Sequence, residues 1–120
     1  MRIAQTLATL LILTTPPAFA AEPCQTIHGR AIYYSADGQF RLWHIGTSHE
    51  FEPPQMPGPN PGYEPSWDRL MKILLAGSQN PDDHAVFADF VVCPTEPFRD
   101  GAVQQAIIKT IRHAHVVPRP

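Results

Sequence analysis

The sequence predicts a mainly β fold with one helix, arranged as a five-stranded barrel in a single domain. Runs rich in β-branched and aromatic residues lie on both sides of one segment with helical periodicity. A tight-turn signal, Asp37-Gly38, separates the first two of these runs. The chain of 120 residues is long enough for one hydrophobic core and leaves no room for a second domain.

Residues 1–20 have the three parts of a secretory signal peptide. A basic Arg2 precedes an apolar run at 7–13, and Ala18-Phe19-Ala20 forms a small-residue cleavage site. This pattern predicts a mature single domain over residues 21–120, located in the periplasm or secreted by Gram-negative type export. No later stretch has the ~20 apolar residues of a transmembrane helix, so no transmembrane segment is expected.

The two cysteines, Cys24 and Cys93, are predicted to form a disulfide, because an exported chain meets an oxidising compartment. The alternative is a pair of buried thiols. The formal net charge of −2 argues against the broad basic surface that nucleic acid binding requires.

Residues 27–34 form the first predicted strand, and an antiparallel second strand begins at Gln39. Alternation along the second strand separates its side chains into two faces, Phe40, Leu42 and His44 against Arg41, Trp43 and Ile45. Both faces carry apolar bulk, as expected for a barrel strand that is partly covered on the outside.

A third strand is expected within residues 47–52, followed by a proline-rich loop at 53–65. The six prolines of this loop exclude helix and interior strand. The loop is either a stiff connection or a segment that docks into an aromatic groove of a partner. Ser66 is predicted to cap the following helix and Gly77 to end it. The apolar face of this helix, which should plug one end of the barrel, consists of Trp67, Leu70, Met71, Leu74 and Leu75.

Residues 78–83 form a loop by composition, and residues 85–93 form the fourth predicted strand. One face of that strand carries Val86, Ala88, Phe90 and Val92, and the other carries Asp89. Residues 103–117 fit a helical stripe, yet their density of Ile, Val and Thr favours a long fifth strand. We adopt the strand and keep the helix as the alternative.

The order of strands and helix, β-β-β-α-β-β, resembles that of the five-stranded oligonucleotide/oligosaccharide-binding (OB) barrel. In that barrel the first and fourth strands are antiparallel neighbours. The resemblance therefore implies that Cys24, before the first strand, and Cys93, at the end of the fourth, come together.

The motif Phe40-Arg41-Leu42, followed by Ile45 and Thr47, resembles the second strand of staphylococcal-nuclease-like barrels. The resemblance covers about ten residues and implies a phosphate-binding arginine, a calcium-binding aspartate and a glutamate near the attacking water. Arg41 matches the arginine. Gly46 and His49 occupy the aspartate and glutamate positions, and Glu50 stands one residue late. Because a hard cation needs oxygen ligands, this departure predicts that the chain does not hydrolyse nucleic acid.

The chain also resembles small exported bacterial proteins, a resemblance that carries no activity with it. The shared features are a Gly29-Arg30 strand, an Arg-x-Trp-x-x-Gly-Thr motif that begins at Arg41, and a later Phe-x-Val-Cys-Pro that ends at Pro94.

The candidate ligand-binding residues are Arg41, Trp43, His44 and Tyr34. Trp43 with Tyr33 and Tyr34 could form an aromatic platform for a base or sugar. The alternative is that these rings cover the outer surface of the barrel against the proline-rich loop. Arg41 is expected to bond across the barrel or to the segment near Glu50 and Glu52, with its stem along Trp43.

Two histidine-containing patterns are weaker candidates. His113 and His115 point the same way on a strand and could chelate a metal with His28, His44 or His49 as a third ligand. Asp82-Asp83-His84 has residue types suited to acid and base catalysis, but such a group in a proline-containing loop is usually solvated.

We therefore expect an exported, non-enzymatic binding or structural module, monomeric and without a cofactor, with an unidentified ligand or protein partner and not nucleic acid. The alternatives are a degenerate nuclease-like enzyme and a periplasmic metal-binding protein that uses its histidines.

Overall fold

A computed structural model describes residues 22–55 and 64–120, so the predicted signal peptide and most of the proline-rich loop lie outside the described residues. The described chain contains five strands, one α-helix and one short 3-10 helix. In chain order these are β1 (Gln25–Tyr34), β2 (Gln39–His44), β3 (Glu50–Glu52), α1 (Pro65–Gly77), the 3-10 helix (Pro81–Asp83), β4 (His84–Pro94) and β5 (Gln104–Pro118). The fold is therefore mainly β with one α-helix, and the segment predicted as a strand over residues 103–117 is the strand β5 (Gln104–Pro118).

The five strands form one sheet in the spatial order β1-β2-β3-β5-β4, with β4 hydrogen-bonded back to β1. This order differs from the sequence order, and the 3-10 helix stands where only a loop was predicted. The barrel is also uneven. β3 has three residues, and its parallel pairing with β5 consists of two residue pairs, whereas β4 and β5 pair along almost their whole length. The third strand is shorter than expected because residues 47–49 form a turn held by the side chain of Thr47.

The core fills the barrel with side chains that alternate along each strand. The four residues predicted to share the inner face of β4 are all buried, as are Phe40 and Leu42 of β2. Gly29 belongs to the same interior, where a β-carbon would lie 2.8 Å from Leu42 Cδ1 and 2.9 Å from Phe90 Cδ2. A side chain is absent here because two large neighbours occupy its space.

Helix α1 contributes Trp67, Leu70 and Leu74 to the core. Met71 is half-buried against the same cluster, and the prediction for Leu75 is wrong because its side chain is 55% exposed. The apolar stripe is wider than the surface that the barrel offers. Trp67, Leu70 and Leu74, spaced three and four residues apart, face the strands, and Leu75 lies outside the face that they define.

Ser66 does not cap α1 as predicted. The N-cap is Glu64, whose carboxylate accepts the backbone N–H of Ser66, with the Ser66 hydroxyl also in contact with it. The Ser66 hydroxyl oxygen instead accepts the N–H of Ile108 at 3.0 Å, and the Arg69 guanidinium donates to the Ile108 carbonyl at 2.7 Å. Both contacts lie along the part of β5 that extends past its last pair with β3.

The start of β1 and the end of β4, which are neighbours in the antiparallel pair, are joined covalently. Cys24 and Cys93 form the predicted disulfide, with their Cα atoms 4.1 Å apart. Beside it, the Glu22 carboxylate accepts the N–H of Phe98 at 2.9 Å and the amide of the buried Gln104 at 3.0 Å. The bond from Phe98, and then that from Gln104, hold the pKa of Glu22 below its usual value.

Strand β5 contains a bulge centred on His113. The register with β4 shifts between the pairs Asp89/Arg112 and Phe87/His115. His113 has a φ of 54°, and it is the only described non-glycine residue with a positive φ. Residues other than glycine adopt this conformation at a cost, so the surrounding contacts must hold it.

Candidate functional site

An open cleft of about 420 Å³ lies on the outer face of β1, β2 and the turn before β3. Its volume falls within the range of small-molecule sites. Alternation places every second side chain of β1 and β2 on this face. The lining residues are Arg30, Ile32, Tyr34, Arg41, Trp43, Ser48 and Glu50.

Arg30 and Trp43 are partners in the register of β1 and β2, so their side chains lie next to each other on the outer face. The Arg30 guanidinium carbon sits 5.4 Å from the centre of the Trp43 ring. The Trp43 indole N–H donates to the Thr47 carbonyl at 2.6 Å, which fixes the ring. The Arg30 Nε atom is buried and has no hydrogen-bond partner within the described residues. A buried donor of this kind calls for an acceptor.

Arg41, on the same face, already has partners. Its guanidinium forms an ion pair with Glu52 at 3.1 Å and donates to the side chain of Gln39 at 2.9 Å. The expected bond to the segment near Glu50 and Glu52 is therefore present, while the arginine stacked on Trp43 is Arg30. Arg41 is mostly neutralised, so the charge of the cleft that remains for a ligand belongs to Arg30.

Tyr34 is 40% exposed at the rim of the cleft, and the guanidinium carbon of Arg119 lies 5.5 Å from its ring centre. Arg119 is held in place because its backbone N–H donates to the Asp83 carbonyl at 2.7 Å and its guanidinium to the Asp82 carbonyl at 2.7 Å. Both aromatic rings of the cleft thus have an arginine over one face.

Two predicted members of this site lie elsewhere. Tyr33 points to the opposite face of β1 and packs on Phe40 with ring centres 5.2 Å apart, so it is not part of an aromatic platform with Trp43. His44 shares the inner face with Phe40 and Leu42, as the alternation predicts, and it does not line the cleft. Arg41, Trp43 and Tyr34 are brought together, and His44 is not.

A second polar cluster lies on the outer face of β1, β4 and β5. Asp89 accepts hydrogen bonds from His28 Nδ1 at 2.9 Å and His113 Nδ1 at 3.0 Å. These two bonds, the one from His28 contributing most, hold the pKa of the Asp89 carboxyl below its usual value. An ionised carboxylate only accepts, so both imidazoles carry their proton on Nδ1.

The predicted metal ligands are only partly assembled. His113 and His28 meet through Asp89, whereas His49 lies near Gln104, to whose side-chain oxygen it donates from Nε2 at 2.9 Å. Within residues 22–55 and 64–120, no group of three or more His, Cys, Asp or Glu residues is placed to hold a metal ion.

The Asp82-Asp83-His84 pattern spans the end of the 3-10 helix and the start of β4. His84 Nδ1 lies 2.8 Å from the Ser78 hydroxyl and 3.1 Å from the Asn80 carbonyl, so this histidine holds the preceding turn. Both carboxylates are exposed in a shallow depression with Pro118 and Arg119.

No family model, curated protein sequence or solved structure matches this chain. In the part of the chain that the structure describes, no helix is long and apolar enough to cross a membrane.

Sequence reasoning missed Arg30, Ile32, Ser48 and Glu50 as members of the cleft, and Arg119 as the neighbour of Tyr34 at its rim. A signal for Arg30 was present. The hairpin turn pairs Tyr34 with Gln39, and counting back along this register places Arg30 opposite Trp43. No comparable local signal places Arg119, which comes from the far end of the chain.

Proposed function

We propose that this chain is an exported, non-enzymatic binding module whose cleft takes a ligand with an anionic group, recognised by Arg30. The observation that carries this proposal is the buried Arg30 Nε without a partner in the described structure, on a guanidinium stacked against a fixed ring. The planar guanidinium of arginine matches the two oxygens of a carboxylate, and an acceptor that reaches the Nε side of Arg30 would satisfy its unpartnered donor.

The cleft also limits the charge of this ligand. Glu50 lines the same wall, and Arg41 is engaged by Glu52. The cleft itself therefore holds one negative group of its ligand, at Arg30, and not a cluster of them. Ser48 and Glu50 are available to hydrogen-bond hydroxyl or ammonium groups of the same ligand.

Export and an OB-like architecture belong to this proposal. The disulfide and the signal-type sequence of residues 1–20 support an oxidising compartment. The spatial order β1-β2-β3-β5-β4, with α1 between β3 and β4 in the chain, supports an OB-like barrel, and in such barrels the outer face of the second and third strands commonly binds ligands.

A non-enzymatic role is supported by the residues at the nuclease-like positions. Arg41 is paired with Glu52, and Gly46, which replaces the metal-binding aspartate, lies in an exposed turn without a carboxylate. Phosphodiester hydrolysis needs charge stabilisation and an activated water together. We expect no degradation of single-stranded DNA with calcium present. Degradation that disappears in Arg41→Ala would contradict this role.

Binding can be tested with acetate, benzoate and inorganic phosphate, followed through the NMR signal of the Arg30 side-chain Nε–H. We expect a saturable shift with a carboxylate, which is absent in Arg30→Gln. Arg99→Gln, at an exposed loop position, is the matched control and should leave the titration unchanged. If no anion moves the Arg30 signal, the proposed function is wrong.

A further inference from the structure

We propose that the cleft is one end of a longer binding surface that crosses β1, β4 and β5, and that the occupant of this surface is an extended acidic polypeptide segment. This inference rests on the proposed function, because Arg30 belongs to both.

The first observation is a row of side chains across four neighbouring strands. The strand registers pair Trp43 with Arg30, Arg30 with Phe87, and Phe87 with His115. Residues paired across strands point to the same face, and the neighbours of Phe87 along β4 are buried, so this row lies on the outside. Three strand spacings of ~4.8 Å give the row a length of about 14 Å.

The second observation is the bulge at His113, which gathers basic residues on this face. Regular alternation after Arg112 would turn His113 inward and Ala114 outward. Instead, the positive φ of His113 directs its imidazole to Asp89, and the register shift sets His115 opposite Phe87. Ile111 and Val116 still pack against the core on either side. A conformation that costs stability thus places Arg112, His113 and His115 together outside.

Acidic and basic residues lie at opposite sides of this surface. The acidic residues beside the cleft, Glu50 and Glu52, belong to β3. Asp89 is the only acidic residue within β1, β4 and β5, and its carboxylate is shared by two imidazoles. An acidic ligand anchored at Arg30 is therefore repelled on the β3 side and attracted toward Arg112, beside which His115 offers a further hydrogen-bond donor.

The aromatic rings favour a polypeptide over a sugar or a nucleotide. Sugars and bases stack on free ring faces. Here Arg30 lies over Trp43 and Arg119 over Tyr34, while Phe87 is half-buried within the sheet. Carboxylates, in contrast, hydrogen-bond to guanidinium and imidazole groups directly. In an extended chain, alternate side chains repeat every ~6.8 Å on one side, a distance between one strand spacing (~4.8 Å) and two (~9.6 Å), so flexible Glu side chains reach donors on successive strands.

The inference can be tested with a peptide of about eight residues that alternates Glu and Ser, long enough at ~3.4 Å per residue to cross the four strands. The comparison ligands are a blocked Glu-Ser dipeptide and an eight-residue peptide that alternates Gln and Ser. We expect the long acidic peptide to bind at least about tenfold more tightly than the dipeptide, because it makes additional charged hydrogen bonds. The Gln-Ser peptide should not bind.

Arg112→Gln combined with His115→Gln should remove this gain and leave dipeptide binding unchanged, whereas Arg99→Gln should affect neither. If the double variant does not fold, each single variant should remove part of the gain. Equal binding of both lengths, or a gain that survives both substitutions, would overturn the longer surface and leave the Arg30 site intact. If the dipeptide does not bind the unaltered protein, the proposed function itself is wrong. Tighter binding of a heparin-derived octasaccharide or a short single-stranded DNA at the same residues would overturn the polypeptide assignment.

Discussion

The indole N–H of Trp67 donates to the carbonyl of Ala106 at 2.8 Å, so a helix side chain satisfies the edge of a strand. β3 pairs with β5 only as far as Gln105, and beyond that point no described strand pairs with the backbone of β5 on this side. Trp67, Ser66 and Arg69 supply the missing hydrogen bonds. Helix α1 therefore completes the uneven barrel with side chains where a longer β3 would have used its backbone.

Ser66→Ala should destabilise the fold by about 1–3 kcal/mol, because it leaves the N–H of the buried Ile108 without an acceptor. Urea unfolding measures the change. Ser35→Ala, in the exposed hairpin turn, is the control and should stay within about 0.5 kcal/mol of the unaltered protein. Equal stabilities of the two variants would show that the helix does not support the strand edge.

Leu74→Ala and Leu75→Ala form a matched pair on α1. Leu74 is fully buried, so its truncation should cost about 2–5 kcal/mol. Leu75 is 55% exposed, and its truncation should change the free energy of unfolding by less than about 0.5 kcal/mol. Thermal unfolding of both variants separates the observed helix orientation from the wider stripe that the sequence predicted.

The Asp89 carboxyl should make stability depend on pH in the acid range. Its folded pKa is below that of the unfolded chain, ~3.9, so its contribution is present above that value and is lost as pH falls through the folded pKa. Asp89→Asn should therefore lower stability near neutral pH and flatten the acid limb of the stability curve. Asp100→Asn, at an exposed loop position, should leave the curve unchanged. A parallel shift of the entire curve in Asp89→Asn would contradict the assignment.

The variant His113→Gly should be more stable than His113→Ala, although alanine is usually the more stabilising of the two residues. Both lose the bond to Asp89, but only glycine adopts a φ of 54° without strain. The glycine variant should therefore be more stable than the alanine variant by about 0.4–1 kcal/mol or more, measured by chemical denaturation. The control is Ala114→Gly, which should lower the free energy of unfolding, since glycine there only adds freedom to the unfolded chain.

Local patterns were sufficient for most elements of the fold. Alternation identified the buried face of β4, and the β-branched density of residues 103–117 favoured the strand that is observed. The disulfide followed from the expected neighbourhood of the first and fourth strands. These features depend on residues close in sequence or on one simple strand order.

Features that depend on distant contacts were missed. The wrong prediction for Leu75 arose because helical periodicity gives a direction for the apolar face but not the width of the surface it meets. The N-cap, Glu64, was missed because serine is a more typical N-cap residue than glutamate. The hydroxyl of Ser66 instead accepts the N–H of Ile108, a contact between residues far apart in the sequence. The bulge at His113 had no sequence signal, since no glycine marks it.

The Cys24–Cys93 bond has a mechanical consequence. A pulling force applied between Glu22 and the end of β5 passes through the sulfur atoms, directly from the start of β1 to the end of β4. Residues 25–92 lie within the loop closed by this bond, so the force cannot extend their backbone. Under load the fold can only yield by detaching β5 from β4, so Trp67, Ser66 and Arg69 of α1, together with the long β4–β5 pairing, bear the force.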